Sequence, residues 1–228
     1  MNVNKNENGC ARKEGETLFK AIKRCIWLIV VLFLFTSCNE LANEEVLSAF
    51  QKIGKYENSV VEQQEKLSGL EQKQNQLYDR IMSYGIKRFT KVVQLSKESL
   101  ELIEERDKHI EKEYKAIQSA KQQINTIKKN IDQLRDENIR RQVNRLVNIA
   151  EKRYETYGNL YLHYKELLSL EKELYTLLQN KYVTPEQLQQ QINRINEQYK
   201  ELVSINDQFN EYTEKYNKEK KRLYNVWK

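Results

Sequence analysis

From Glu45 to the C-terminus, apolar residues return at steps of three and four, and a single proline, Pro185, interrupts the pattern. A mean spacing near 3.5 residues lines such side chains along one narrow stripe of an α-helix. It is not the two-residue alternation of a half-buried strand. Ile110, Tyr114, Ile117, Ile124, Ile127, Ile131 and Leu134 make one such series. Val143, Leu146, Ala150, Tyr154, Tyr157, Tyr161 and Tyr164 make a second, and Leu188, Ile192, Ile195, Tyr199, Leu202, Phe209, Tyr212, Tyr216, Leu223 and Trp227 make a third. The remaining positions are mostly Glu, Lys, Gln and Asn. A stripe on an otherwise polar helix is stable only when other helices cover it, so the pattern demands a bundle.

Breaks in the pattern set the number of helices. Thr184-Pro185-Glu186-Gln187 reads as a helix start, with Thr184 as cap, Pro185 at the first helical position and Gln187 completing a capping box. Ser83-Tyr84-Gly85 reads as a helix end, glycine being the usual residue just past one. One helix filling the 99 residues between Gly85 and Pro185 would be roughly 150 Å long, and its neighbours could not cover its seam. A reversal at Asp132–Asn138 removes the mismatch, with Asp136-Glu137-Asn138 supplying capping side chains. The expected fold is all-α: a long antiparallel up-and-down bundle of four helices. A three-helix coiled coil with an unbroken or bent middle helix is the alternative.

Ahead of the repeat lies a segment of different character. Lys20, Lys23 and Arg24 precede ten unbroken apolar residues, Ile26 to Phe35, followed by Thr36, Ser37 and Cys38. The run is too short for a spanning helix, which needs roughly 20 apolar residues, and it matches a secretory leader. A small residue followed by a cysteine is the layout of a bacterial lipoprotein signal, in which the thiol receives a diacylglyceryl group. Phe35 departs from the leucine usual at its position. The expected organisation is a signal peptide over 1–37, a lipid-anchored tether over 38–44 and a helical bundle domain over 45–228. Cys38 is the lipidation site, and the domain is held on the extracytoplasmic face of the cell membrane.

Removing the leader alters the charge. Six basic and three acidic residues lie in 1–37, so the rest carries 33 basic against 30 acidic side chains, a net +3 in place of +6. Both signs are interspersed along the sequence, unlike the basic stripe of a nucleic-acid reader, so no nucleic-acid partner is expected. Cys10 and Cys25 also fall in the leader, leaving no disulfide for the domain and making packing its source of stability.

Three stretches resemble a known family: Leu77 to Ile86, Glu151 to Gln179 with its repeated tyrosines, and Phe209 to Tyr224. Together they are similar to the YkyA-like family of cell-wall-binding lipoproteins of Gram-positive bacteria, over nearly all of the chain from Glu45 on. The resemblance implies a helical bundle held by lipid outside the membrane. It brings no catalytic or ligand-binding residue beyond the lipidated Cys38.

Tyr154, Tyr157, Tyr161 and Tyr164 share one helix face and form the one candidate site for glycan contact, since stacked rings suit sugar faces. The competing reading puts their rings in the seam and their hydroxyls at its rim. His109 and His163 lack partners at metal-ligand spacing, so no zinc site or other cofactor is expected. His109 follows Glu104, Glu105 and Asp107, an ordinary cluster on a solvated face. No phosphate loop or nucleophile elbow is present, and enzymatic activity is not expected. The Gln-rich run Gln187–Gln198 reads as helix surface. These features point to a non-enzymatic spacer or wall-binding module with peptidoglycan or another wall polymer as partner. The alternative is an accessory subunit of an envelope protein complex, such as a wall hydrolase or secretion machinery.

Overall fold

A computed structural model describes residues 41–227 as four long helices: α1 (Leu41–Tyr84), α2 (Phe89–Asn130), α3 (Glu137–Leu177) and α4 (Pro185–Val226). Short turns of 3-10 helix follow α1 at Ile86–Arg88 and α2 at Ile131–Gln133. The four-helix expectation holds, and the reversal between α2 and α3 excludes the three-helix alternative. The signal peptide and Cys38 lie outside the described residues. Helix α1 already covers 41–44 of the stretch expected as tether, where Ala42 and Glu44 are good helix formers. Among the described residues no helix is long and apolar enough to cross a membrane.

Each turn uses the chemistry its sequence offers. Gly85 ends α1 with φ 53° and ψ −165°, a conformation open essentially to glycine alone. Asp136 caps α3, its Oδ1 accepting from the backbone N–H groups of Asn138 (2.8 Å) and Ile139 (3.0 Å). Thr184 and Gln187 form the capping box of α4. The Thr184 Oγ1 accepts from Gln187 N at 3.2 Å, and the Gln187 Oε1 accepts from Thr184 N at 2.9 Å.

Helix α1 packs along α2, α3 packs along α4, and α2 against α3 joins the two hairpins. The apolar seams fill two core clusters. One surrounds Val46, Ile53, Ile124, Val143, Leu146, Tyr154, Tyr157 and Tyr216, and the other surrounds Leu67, Ile81, Leu95, Ile103, Tyr164 and Leu168. The first lies where α1 begins, as the edge-on contact of Phe50 and Trp227 at 6.4 Å shows. The beginning of α1, the α2–α3 turn and the end of α4 therefore share one end of the bundle. The α1–α2 and α3–α4 turns share the other.

Helix α4 departs from expectation. Its buried positions are Gln191, Gln198, Phe209, Tyr216 and Leu223, while Ile192, Ile195, Leu202 and Ile205 are only half-buried. The Gln-rich run is thus not simply surface. Gln191 Nε2 donates to the Leu170 carbonyl at 2.7 Å, and Gln198 Nε2 donates to that of His163 at 2.9 Å. Two glutamines one heptad apart hold the first half of α4 to α3 by hydrogen bonds where a purely apolar seam was expected.

Candidate functional site

Tyr154, Tyr157, Tyr161 and Tyr164 of α3 do not form a ladder on the surface. Spacings of three and four residues aim them into the bundle, leaving Tyr154 and Tyr157 1% exposed and Tyr164 6% exposed. The glycan-stacking reading is corrected for these three, because a ring enclosed by four helices has no face to offer a sugar. Their hydroxyls are inside too, not at a rim. Those of Tyr154 and Tyr157 have no hydrogen-bond partner, and Tyr157 meets the edge of Phe209 at 5.6 Å. Burial drives the phenol pKa of Tyr154, Tyr157 and Tyr164 upward, so these groups stay neutral.

Tyr164 belongs to an ionic layer. Its hydroxyl donates to Glu71 Oε1 at 2.7 Å and accepts from Arg106 Nε at 3.0 Å. The Arg106 guanidinium also pairs with Glu171 and lies 3.8 Å from Glu71, with only 1% of its side chain exposed. Burial opposes its charge, but Glu171, Tyr164 and Glu71 outweigh burial and raise its pKa well above the usual value. Burial raises the Glu171 carboxyl against the pull of Arg106. A second layer centres on Arg153, which donates to Thr213 Oγ1 at 3.0 Å and to Glu57 Oε1 at 2.6 Å. Lys220 reaches the other Glu57 oxygen at 3.2 Å. Burial works to raise the Glu57 pKa, but Arg153 and Lys220 overcome it and lower the pKa.

Between these layers sits a carboxyl without a cation. Glu113 is 2% exposed and accepts from Gln64 Nε2 at 3.0 Å. Its second oxygen has no hydrogen-bond partner and lies near the likewise unpartnered Tyr157 hydroxyl. Burial pushes the Glu113 carboxyl up to about 7, against the pull of Tyr157 and Gln64, with Glu71 adding to the rise. The residue types hid these layers, although the spacing did not: Arg106 and Glu113 fall between Ile103, Ile110 and Ile117, and Arg153 between Ala150 and Tyr157, in the same steps of three and four.

Tyr161 is the exception among the four. It is half-buried and stacks on Tyr114 of α2 with centroids 4.0 Å apart and planes 11° from parallel. Its hydroxyl donates to Glu111 and its pKa is pushed up to about 12, by burial first and then by that carboxylate. Lys165 bridges Asp107 and Glu111, reaching the latter at 3.1 Å. Leu162 beside it is 62% exposed. This face of α2 and α3 therefore presents a tyrosine pair edged by two carboxylates and an ammonium. Such an arrangement can meet a hydroxylated or amino-bearing polymer.

The histidines have structural partners. His109 Nδ1 lies 2.7 Å from Gln63 Oε1, and His163 Nδ1 lies 3.0 Å from Gln198 Nε2. Among the described residues no three His, Cys, Asp or Glu side chains are placed to hold a metal ion together.

Comparison with known proteins places this architecture. A solved structure of a conserved protein of unknown function from Staphylococcus aureus superposes with a TM-score of 0.65. That match covers 84% of this chain and 97% of that one at 18% identity, so the two share a fold. The chain is 34% identical over 178 residues to an uncharacterized lipoprotein, YkyA, of Bacillus subtilis, which spans 78% of this chain and 80% of that protein. Residues 42–226 match the model of the family described as "Putative cell-wall binding lipoprotein". The chain therefore belongs to the YkyA family.

Proposed function

We propose that this protein is a non-enzymatic lipoprotein of the cell envelope, held by acylated Cys38 to the outer face of the membrane and acting as a spacer that contacts wall polymer. The observation that carries this reading is that α1 starts at Leu41, three residues after Cys38. Only Asn39 and Glu40 stand in sequence between Cys38 and the first described residue of α1. The 44 residues of α1 then reach roughly 65 Å before the first turn. A diacylglyceryl thioether supplies two acyl chains, which hold firmly where one binds only marginally. Family membership and the lipoprotein name of the Bacillus subtilis relative support the same location.

The wall contact is assigned to Tyr161 with Tyr114, since Tyr161 alone among the five α3 tyrosines is only half-buried. Two measurements test the reading. Cys38→Ser should abolish labelling by a palmitate analogue and release or misroute the protein, and unchanged labelling would remove the anchor. Tyr161→Ala should weaken pull-down by protein-free sacculi while the bundle stays folded. If binding requires a membrane protein instead of sacculi, the accessory-subunit reading replaces this one.

A further inference from the structure

The fold gathers charge that the sequence disperses. Residues 41–52, 121–147 and 215–227 come together at the end where α1 begins, and they hold thirteen basic against six acidic side chains. The middle of the bundle, over 53–72, 99–120, 148–164 and 195–214, is the reverse, with nine basic against seventeen acidic, and the opposite end, over 73–98 and 165–194, has a smaller basic excess of ten against six. Helix α4 shows the change most sharply. After Glu197, Glu201, Asp207, Glu211 and Glu214 it closes on Lys215, Lys218, Lys220, Lys221 and Arg222, with Glu219 among them; Arg222 pairs with Glu219, Lys215 with Glu211 and Lys220 with Glu57. The helix ends flanking the α2–α3 turn add exposed Lys128, Lys129 and Arg141 beside it, Lys128 pairing with Glu151 at 2.7 Å. Its acidic members are Asp132, Asp136 and Glu137, and Glu44 and Glu45 open α1. Asp136 is occupied as the α3 cap, while Glu137 pairs with Arg141 at 3.8 Å.

We propose that this basic end is a docking face for anionic phospholipid headgroups. The proposal rests on the Cys38 anchor, which puts the acyl chains at the same end, three residues before α1. Basic side chains facing a negatively charged bilayer are attracted within about one Debye length, roughly 10 Å at moderate salt. Trp227 is half-buried against Phe50 at this end and is the only tryptophan after Cys38. Tryptophan prefers the headgroup layer. Lipid and protein charge together hold the bundle by its end, while the acidic middle is repelled from the bilayer. The outcome is an upright domain, not one lying flat.

The test uses protein purified from membranes with its anchor and reconstituted into phosphatidylcholine vesicles, with or without phosphatidylglycerol. Vesicles carry a nitroxide lipid labelled at the headgroup. The proposal expects quenching and a blue shift of Trp227 fluorescence in anionic vesicles at low salt, and loss of both at high salt. Combined Arg141→Glu, Lys218→Glu and Lys221→Glu changes should abolish the effect. Reversal of Lys87, Lys91 and Lys181 at the opposite end should leave it intact, with thermal melts showing that both variants fold. Equal quenching in neutral and anionic vesicles overturns the proposal. So does a triple variant that quenches normally, or one that loses sacculus binding instead. Flotation reads the anchor separately. If the protein fails to float with neutral vesicles the anchor has failed, and salt-sensitive flotation with anionic vesicles alone still decides the basic face.

Discussion

Arg106 Nε donates to the Tyr164 hydroxyl at 3.0 Å in the interior, joining α2 to α3 through a side chain with 1% exposure. Removing one partner from a buried ionic group leaves uncompensated charge, so Arg106→Ala should cost about 3–5 kcal/mol in urea unfolding. Tyr164→Phe deletes only the hydroxyl and should cost about 1–3 kcal/mol. Replacing Arg106, Glu71 and Glu171 together by apolar residues of similar size should recover most of the loss. A single Arg106→Ala change without measurable cost would mean the layer is solvated in solution.

Stability should fall as pH rises past the ordinary carboxyl range. Glu113 has its folded pKa raised from 4.5 to about 7, so between those values the folded state holds a proton that the unfolded state has released. Its contribution is fully present below 4.5, declines across the window and is gone above about 7. The whole effect is about 3 kcal/mol, to order of magnitude. Glu113→Gln should therefore melt higher than the parent at pH 8 and match it near pH 4. Glu57 works in the opposite sense. Its pKa is lowered in the fold, so its contribution is lost as pH falls below the usual carboxylate value.

Two glycines should respond oppositely to alanine. At Gly85 the φ of 53° is strained for any side chain although the space is open, so Gly85→Ala should cost about 1–3 kcal/mol. Gly158 lies inside α3 with nothing within 4 Å of an added Cβ, and Gly158→Ala should stabilise by about 0.5–1 kcal/mol. Thermal melts of the two variants give the comparison, and the same sign at both sites would contradict the backbone argument.

Helix α4 should be the first to loosen. Its first half relies on Gln191 and Gln198, each contributing about 1 kcal/mol as a hydrogen bond to an α3 carbonyl. Gln191→Ala with Gln198→Ala should accelerate amide exchange in the first half of α4 while leaving α1 and α2 nearly unchanged. Uniform acceleration in all four helices would show that α4 opens only with the rest.

Helix number and ends were readable because they depend on local chemistry. Gly85, Asp136 and the Thr184–Gln187 pair each act within a few residues of themselves. The interior was less legible, because reading by residue type sends polar side chains to water even at positions 106, 113 and 153, where the seam spacing turns them inward. Arg106 is buried only because Glu71, Glu171 and Tyr164 arrive from two other helices. The tyrosines show the intermediate case: their spacing placed the rings in the seam, but not the depth that also encloses their hydroxyls. The excess of positive charge at the ends, larger where α1 begins, was likewise invisible in a one-dimensional reading, where basic and acidic residues alternate.

The Phe50–Trp227 contact also decides what a reporter can measure. A fluorophore fused after α4 would emerge beside the start of α1, and energy transfer between them would stay high whatever the far end touches. One inserted at the Asn180–Val183 turn would ride at the opposite end. Only that insertion would register the distance from bilayer to wall in a living cell.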